Sequence, residues 1–124
     1  MARVLWVSQH RMNPVQSAVL RRMFGADVQV DEDPRPFDRA ETIVQRVREG
    51  GYDDCIVVAP YSVLARMVDQ GLRPLWAEAE VTSPEQADWV TKGRHYRFVR
   101  FKRVKRLVLE LEDLGPDAER QPTD

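Results

Sequence analysis

The chain has 124 residues, 43% of them hydrophobic and 31% charged, with a net charge of −1 at pH 7. That profile excludes a disordered chain and leaves room for one folded domain only. A single cysteine, Cys55, excludes an internal disulfide and a thiolate metal cluster. The apolar run at the N-terminus is too short for a signal peptide, and no run approaches the roughly 20 residues of a membrane span, so a cytoplasmic location without membrane contact is expected.

In chain order, "RVLWVS" (3–8) carries apolar residues on both parities, as a central parallel strand covered on both faces does. Asn13-Pro14-Val15-Gln16 then combines a cap residue, proline at the first helical position and glutamine at the third, which predicts a capping box and a helix from Pro14. Val15, Ala18, Val19 and Met23 recur at helical spacing, and Gly25 stops the helix. "DVQV" (27–30) reads as a short second strand and "DEDPRPFD" as a loop, with Asp38 and Glu41 repeating the cap-and-box pattern. A second helix follows, with Ala40, Ile43, Val44 and Val47 as its apolar stripe and Gly50-Gly51 as its end.

"DCIVVA" (54–59) is the third strand, and "PYSVLARMVDQG" a third helix with Leu64, Met67 and Val68 inward. "RPLWAEAEV" (73–81) is a fourth strand whose Trp76/Glu78/Glu80 parity predicts an exposed face near a sheet edge. Three strand-helix units in succession predict a three-layer α/β fold with a parallel sheet, three helices and the order 2-1-3 for the first strands. Beyond it "TSPEQADWVTKG" reads as loop, whereas "HYRFVRF" and "VKRLVLELE" read as two strands joined around Lys102-Arg103, either an edge hairpin or one long bent strand. The expected organisation is one domain over 1–113, with this C-terminal β extension, and a disordered tail over 114–124.

The common chemical signatures are missing. There is no glycine-rich dinucleotide fingerprint, no Walker-type phosphate loop and no nucleophile elbow. His10 and His95 lie far apart with no carboxylate at ligand spacing, so no metal site and no cofactor are expected. Topology supplies what motifs do not. In an open α/β sheet, ligands bind beyond the carboxyl ends of strands whose connections leave to opposite faces, here the first and third. Ser8, Gln9, His10, Asn13, Tyr61 and Ser62 become candidate site residues, with the amides of two helix starts available to an anion.

Each has a plainer duty. Asn13 is first a helix cap, Ser8 can satisfy local backbone, Tyr61 can cover a helix start, and Cys55 is buried core. His10 is the sharpest candidate, because a loop histidine can donate or carry a proton near neutral pH. Residues 92–106 hold eight cations and no acid, which leaves −9 on the rest of the chain. With Tyr96, Phe98 and Phe101 interleaved, this stretch has the look of a single-strand nucleic-acid platform. The alternative is an edge hairpin with rings inward and cations outward.

The stretch "LWVSQHRMNPVQ" resembles small single-domain CRISPR-associated proteins of Rossmann-like fold, the CARF-type ring nucleases, in which a strand ending in S-H or S-x-H precedes an M/L-[TN]-P-x-Q-like helix start. The matching positions are Ser8, His10, Met12, Asn13, Pro14 and Gln16, with looser agreement in element order over 3–81. The resemblance implies a homodimer whose two crevices join into one pocket for a cyclic oligoadenylate, most often the tetra-adenylate of type III CRISPR signalling. It also implies metal-independent cleavage by attack of a ribose 2′-OH on the neighbouring phosphate, giving a 2′,3′-cyclic phosphate. On this chain His10 and Ser8 would then be catalytic, with Gln9, Arg11, Asn13, Tyr61, Ser62 and Arg100 binding the ligand. Two alternatives stand beside it: a non-catalytic protein that sequesters the same messenger, and a nucleic-acid-binding accessory protein acting through residues 92–106.

Overall fold

The computed structural model describes residues 1–120, which form an α/β fold around one six-stranded mixed sheet. In chain order the elements are β1 (Arg3–Val7), α1 (Pro14–Phe24), β2 (Gln29–Asp33), α2 (Ala40–Glu49), β3 (Asp54–Val57), α3 (Tyr61–Asp69), β4 (Leu75–Val81), β5 (Trp89–Thr91) and β6 (Arg94–Arg103), with a single 3-10 turn at Pro84–Gln86. The strand order is β2-β1-β3-β4-β6-β5. β1 pairs in parallel with β2 and with β3, and β3 with β4. The expected 2-1-3 arrangement is therefore present.

The sheet is not purely parallel. β6 runs antiparallel to both β4 and β5, because the short connection after β4 holds no crossover helix and a parallel return needs one. The hairpin turn is Lys92-Gly93 rather than Lys102-Arg103. Both turn residues have positive φ, 50° and 76°, the requirement of a two-residue type I′ loop whose twist matches its strands. "DWVTKG", read as loop, thus contains a strand, and "VKRLVLELE", read as a strand, does not. Val104 is buried, and its N–H donates to the Pro74 carbonyl. After it the chain runs to residue 120 exposed and without helix or strand, since β4 begins at Leu75 opposite Arg103 and offers no further partner. Residues 121–124 of the expected tail lie outside the described residues.

Two apolar clusters hold the layers. Leu5, Val7, Cys55 and Val57 face α2 and α3, meeting Ile43, Val44, Val47, Leu64 and Met67. Val4, Trp6, Ile56 and Leu75 face the other way and meet α1 through Leu20. The connections after β1 and β3 therefore leave to opposite faces. The capping box at Asn13 forms in full: Asn13 Oδ1 accepts from the Gln16 N–H, and Gln16 Oε1 accepts from the Asn13 N–H. The inner stripe of α1 differs from expectation. Gln16, Leu20 and Phe24, spaced by four, point to the sheet, while Val15 and Met23 are exposed, because the box turns Gln16 inward and carries the inner face with it.

The second box does not form. Arg39 precedes α2 without a side-chain cap, and Glu41 instead accepts from Arg66 on α3 at 2.8 Å, tying the two helices together. A bulge in β6 does more for the core. Register shifts between Glu78 and Ala79 leave Val99 unopposed, so Phe98 and Phe101, three residues apart, reach the same face and touch at 4.7 Å between ring centroids. Phe101 in turn packs edge-on against Trp6.

Candidate functional site

Val7 and Val57 end β1 and β3 side by side in register, and the chain beyond them opens into a crevice. β4 starts level with Ile56, so Ala77 to Val81 extend past the ends of β1 and β3 and carry the β5-β6 hairpin with them. This overhang walls a cavity of about 390 Å³. Trp6, Ser8, His10, Arg11 and Asn13 line it from the β1 side, Trp76 from β4 level with the end of β3, and Ala79, Trp89 and Thr91 from the overhang. All three tryptophans of the chain border this space. A neighbouring lobe of about 450 Å³ shares Val58 and Trp76 and adds Pro60, Tyr61 and Leu64.

The "SQHRMN" turn is held by its own bonds. The His10 N–H donates to Ser8 Oγ at 3.0 Å, and the His10 carbonyl accepts from Trp6 Nε1 at 3.0 Å. His10 is thus fixed through its backbone on both sides while its side chain stays exposed at the cavity. Buried Ser8 serves the turn, which is the local duty its residue type favours. The start of α1 has few donors left for an anion: Pro14 has no N–H, Asn13 takes the Gln16 amide, and Glu32 Oε1 takes the Met12 amide just ahead of the helix at 2.7 Å. The start of α3 has no side-chain cap, so of the two helix starts it has the more donors to offer.

The remaining candidates are distributed as follows. Gln9 faces a separate hollow of about 420 Å³, shared with Ser8, His10, Arg35, Phe37 and Val63. Tyr61 lines the second lobe and meets Trp76 edge-on at 6.1 Å between centroids. Ser62 is exposed on α3 and borders none of these spaces. Arg100 lies along β6 opposite Glu78, 3.9 Å from its carboxylate, and lines none of them.

Charge at the crevice is organised by Asp33. Its buried carboxylate accepts from Arg35 Nε and Nη2 at 2.8 Å each and lies 3.5 Å from Arg46. The Arg35 hydrogen bonds, with help from Arg46, hold its pKa below 3.8 although burial works against them. Arg35 is thereby fixed beside Gln9 and His10. Sequence reasoning passed over Arg35, Trp6, Trp76 and Trp89. Trp89 sat in apparent loop, and the convergence of three tryptophans far apart in sequence has no periodic signal. Among the described residues no group of three metal-binding side chains converges.

The basic stretch resolves into two faces. Phe98 is buried and Phe101 half-buried against the core, while Tyr96 stacks on Trp89 at 5.9 Å. On β4 and β3, acids meet the cations: Arg97 pairs with Glu80, Lys102 with Glu78 at 2.7 Å, and Arg103 with Asp54 at 2.6 Å. Rings and phosphate-seeking cations do not alternate on one accessible surface, as a single-strand platform requires. Comparison with known protein families, curated proteins and solved structures gives no match to this chain.

Proposed function

We propose that the crevice beyond β1 and β3 of this Rossmann-like domain binds an adenine nucleotide, and that its ligand is a cyclic oligoadenylate. The observation that carries the reading is the meeting of Trp6, Trp76 and Trp89 with His10 and Arg11 around one cavity. Exposed Trp76 and half-buried Trp89 offer indole surfaces to a base, worth about 1–3 kcal/mol each, buried Trp6 lines the wall beside them, and Arg11 offers a cation to phosphate. A hollow of about 390 Å³ is at the small end of ligand sites and suits one nucleotide unit, so a four-membered ring would span more than one cavity. Two copies in a homodimer would supply that span.

Cleavage is the second half of the proposal. A ribose 2′-OH attacks the adjacent phosphorus in line, the 5′-oxygen leaves, and the proton lost by the first oxygen is made up on the second. His10 would move it, a role supported by its position at the cavity on a turn whose backbone is held by hydrogen bonds. Tyr61 and the open start of α3 would orient base and phosphate in the adjoining lobe. Capture without turnover is the alternative, and the capped start of α1 favours it, because fewer amides are left to stabilise a pentacoordinate phosphate.

The test uses the chain's own tryptophans. Titration with cyclic tetra-adenylate is expected to quench their fluorescence, and Trp89→Ala to weaken binding by roughly tenfold, as the loss of one stacked base does. Mass spectrometry of the incubated ligand separates cleavage from capture: linear product that disappears in His10→Ala supports the first, an intact ring the second. No quenching by any adenine nucleotide at millimolar concentration overturns both.

A further inference from the structure

Residues 105–113, "KRLVLELED", are strand-like in sequence yet unpaired in the fold. Lys105, Leu107, Leu109, Leu111 and Asp113 alternate with Arg106, Val108, Glu110 and Glu112, the period of an extended strand. Among the described residues they have no strand partner. Leu109 and Leu111 are 81% and 82% exposed, an unusual run of bare leucine for a soluble surface. The charges are ordered as well, with both cations at the beginning and all three acids toward the end.

We propose that residues 105–113 are a self-complementary β-arm that pairs antiparallel with the same arm of a second copy, about a two-fold axis through Leu109. In that register Lys105 of each copy opposes Asp113 of the other, Arg106 opposes Glu112, Leu107 opposes Leu111, and Leu109 meets itself. Odd positions then place three leucines from each arm on one face, bounded at both ends by Lys-Asp pairs, and the other face gains two Arg-Glu pairs. A parallel pairing in register sets cation against cation and acid against acid, which is unfavourable for directly opposed residues. An isologous contact of this kind is satisfied by two copies, each surface pairing with its own equivalent.

The arm leaves from the end of the sheet where β3 and β4 begin. Arg103 anchors its root there, donating to Asp54 at 2.6 and 2.7 Å and to the Arg73 carbonyl at 2.8 Å. The tryptophan-lined cavity lies at the opposite end, so arm pairing leaves it open. This contact is therefore independent of the nucleotide proposal and differs from a dimer in which two crevices join. A two-stranded ribbon is weak by itself, and the association is expected at a Kd on the order of 10–100 µM, as a small interface gives.

Sedimentation of the full chain across that range is expected to show monomer and dimer in exchange. R106E and E112R, each of which sets like charges opposite one another, are expected to weaken the dimer at least tenfold, and the double variant R106E/E112R to restore it. These side chains are exposed, so the fold is preserved, and matching thermal unfolding curves verify this. Leu109→Cys is expected to give a disulfide-linked dimer on mild oxidation. Leu114→Cys, whose two copies would stand about 33 Å apart in a ribbon rising about 3.3 Å per residue, is expected to give none. A chain that stays monomeric throughout, or a dimer indifferent to both charge reversals, overturns the proposal.

Discussion

Leu20→Ala tests whether α1 is oriented by its capping box or by the apolar stripe evident in its sequence. Leu20 is fully buried and packs with Val4, Trp6, Ile56 and Leu75. Among the described residues no other helix covers this face, so the cavity left by the lost carbons cannot be filled from a neighbouring helix. Comparable substitutions cost about 2.7–5 kcal/mol, rising with the volume that stays empty. Half-buried Met12 and Phe24 can lean in from either end of the helix, which places the expected loss at about 3 kcal/mol. For a chain of this length total stability is about 6–18 kcal/mol, so the variant folds. With a urea slope of about 1.5 kcal/mol/M, its midpoint falls by about 2 M and its slope is unchanged. Exposed Val15→Ala and Met23→Ala are expected to cost about 0.5 kcal/mol or less. Equal losses at Leu20, Val15 and Met23, or a Leu20→Ala loss below about 1 kcal/mol, would refute the orientation described.

Two further outcomes follow from groups whose ionisation the fold shifts. Asp33 has a folded pKa below its ordinary 3.8, so its contribution is present above about pH 4 and lost as pH falls through the folded value. Asp33→Asn is expected to cost about 1–3 kcal/mol at pH 7, with the two unfolding curves converging in acid; a gap that widens toward low pH contradicts the Arg35 and Arg46 contacts. Burial chiefly, with Asp54 beside it, pushes the Cys55 thiol up to about 12. A thiol reagent at pH 8 is expected to leave the folded chain unlabelled and to modify one thiol per chain in denaturant, and rapid labelling without denaturant would show β3 to be accessible.

Local signals in the sequence predict structure where the residue itself sets the backbone. Asn13 and Gln16 close on one another within four positions, and the proline between them fixes the first helical φ. Asp38 and Glu41 show the same spelling and fail, because Arg66 from α3 claims Glu41. The hairpin at Lys92-Gly93 was legible in principle, but lysine at its first position hides a turn usually announced by asparagine or aspartate. Of the candidate site residues, Ser8, His10, Arg11 and Asn13 share the cavity, whereas Arg100 is committed to Glu78 on another surface.

By itself the sequence determined the strand-helix rhythm, the placement of β1 between β2 and β3, and the turn that carries His10, because caps, continuous apolar strands and short right-handed crossovers are local or near-local constraints. Tertiary structure alone decided which face of α1 is inward, that β6 returns antiparallel beside β4, and that three tryptophans from three different strands surround one hollow. Those outcomes depend on contacts between segments tens of residues apart. Their energies come from shared burial and from the pairing of distant charges, and neither is written into the spacing of any one segment.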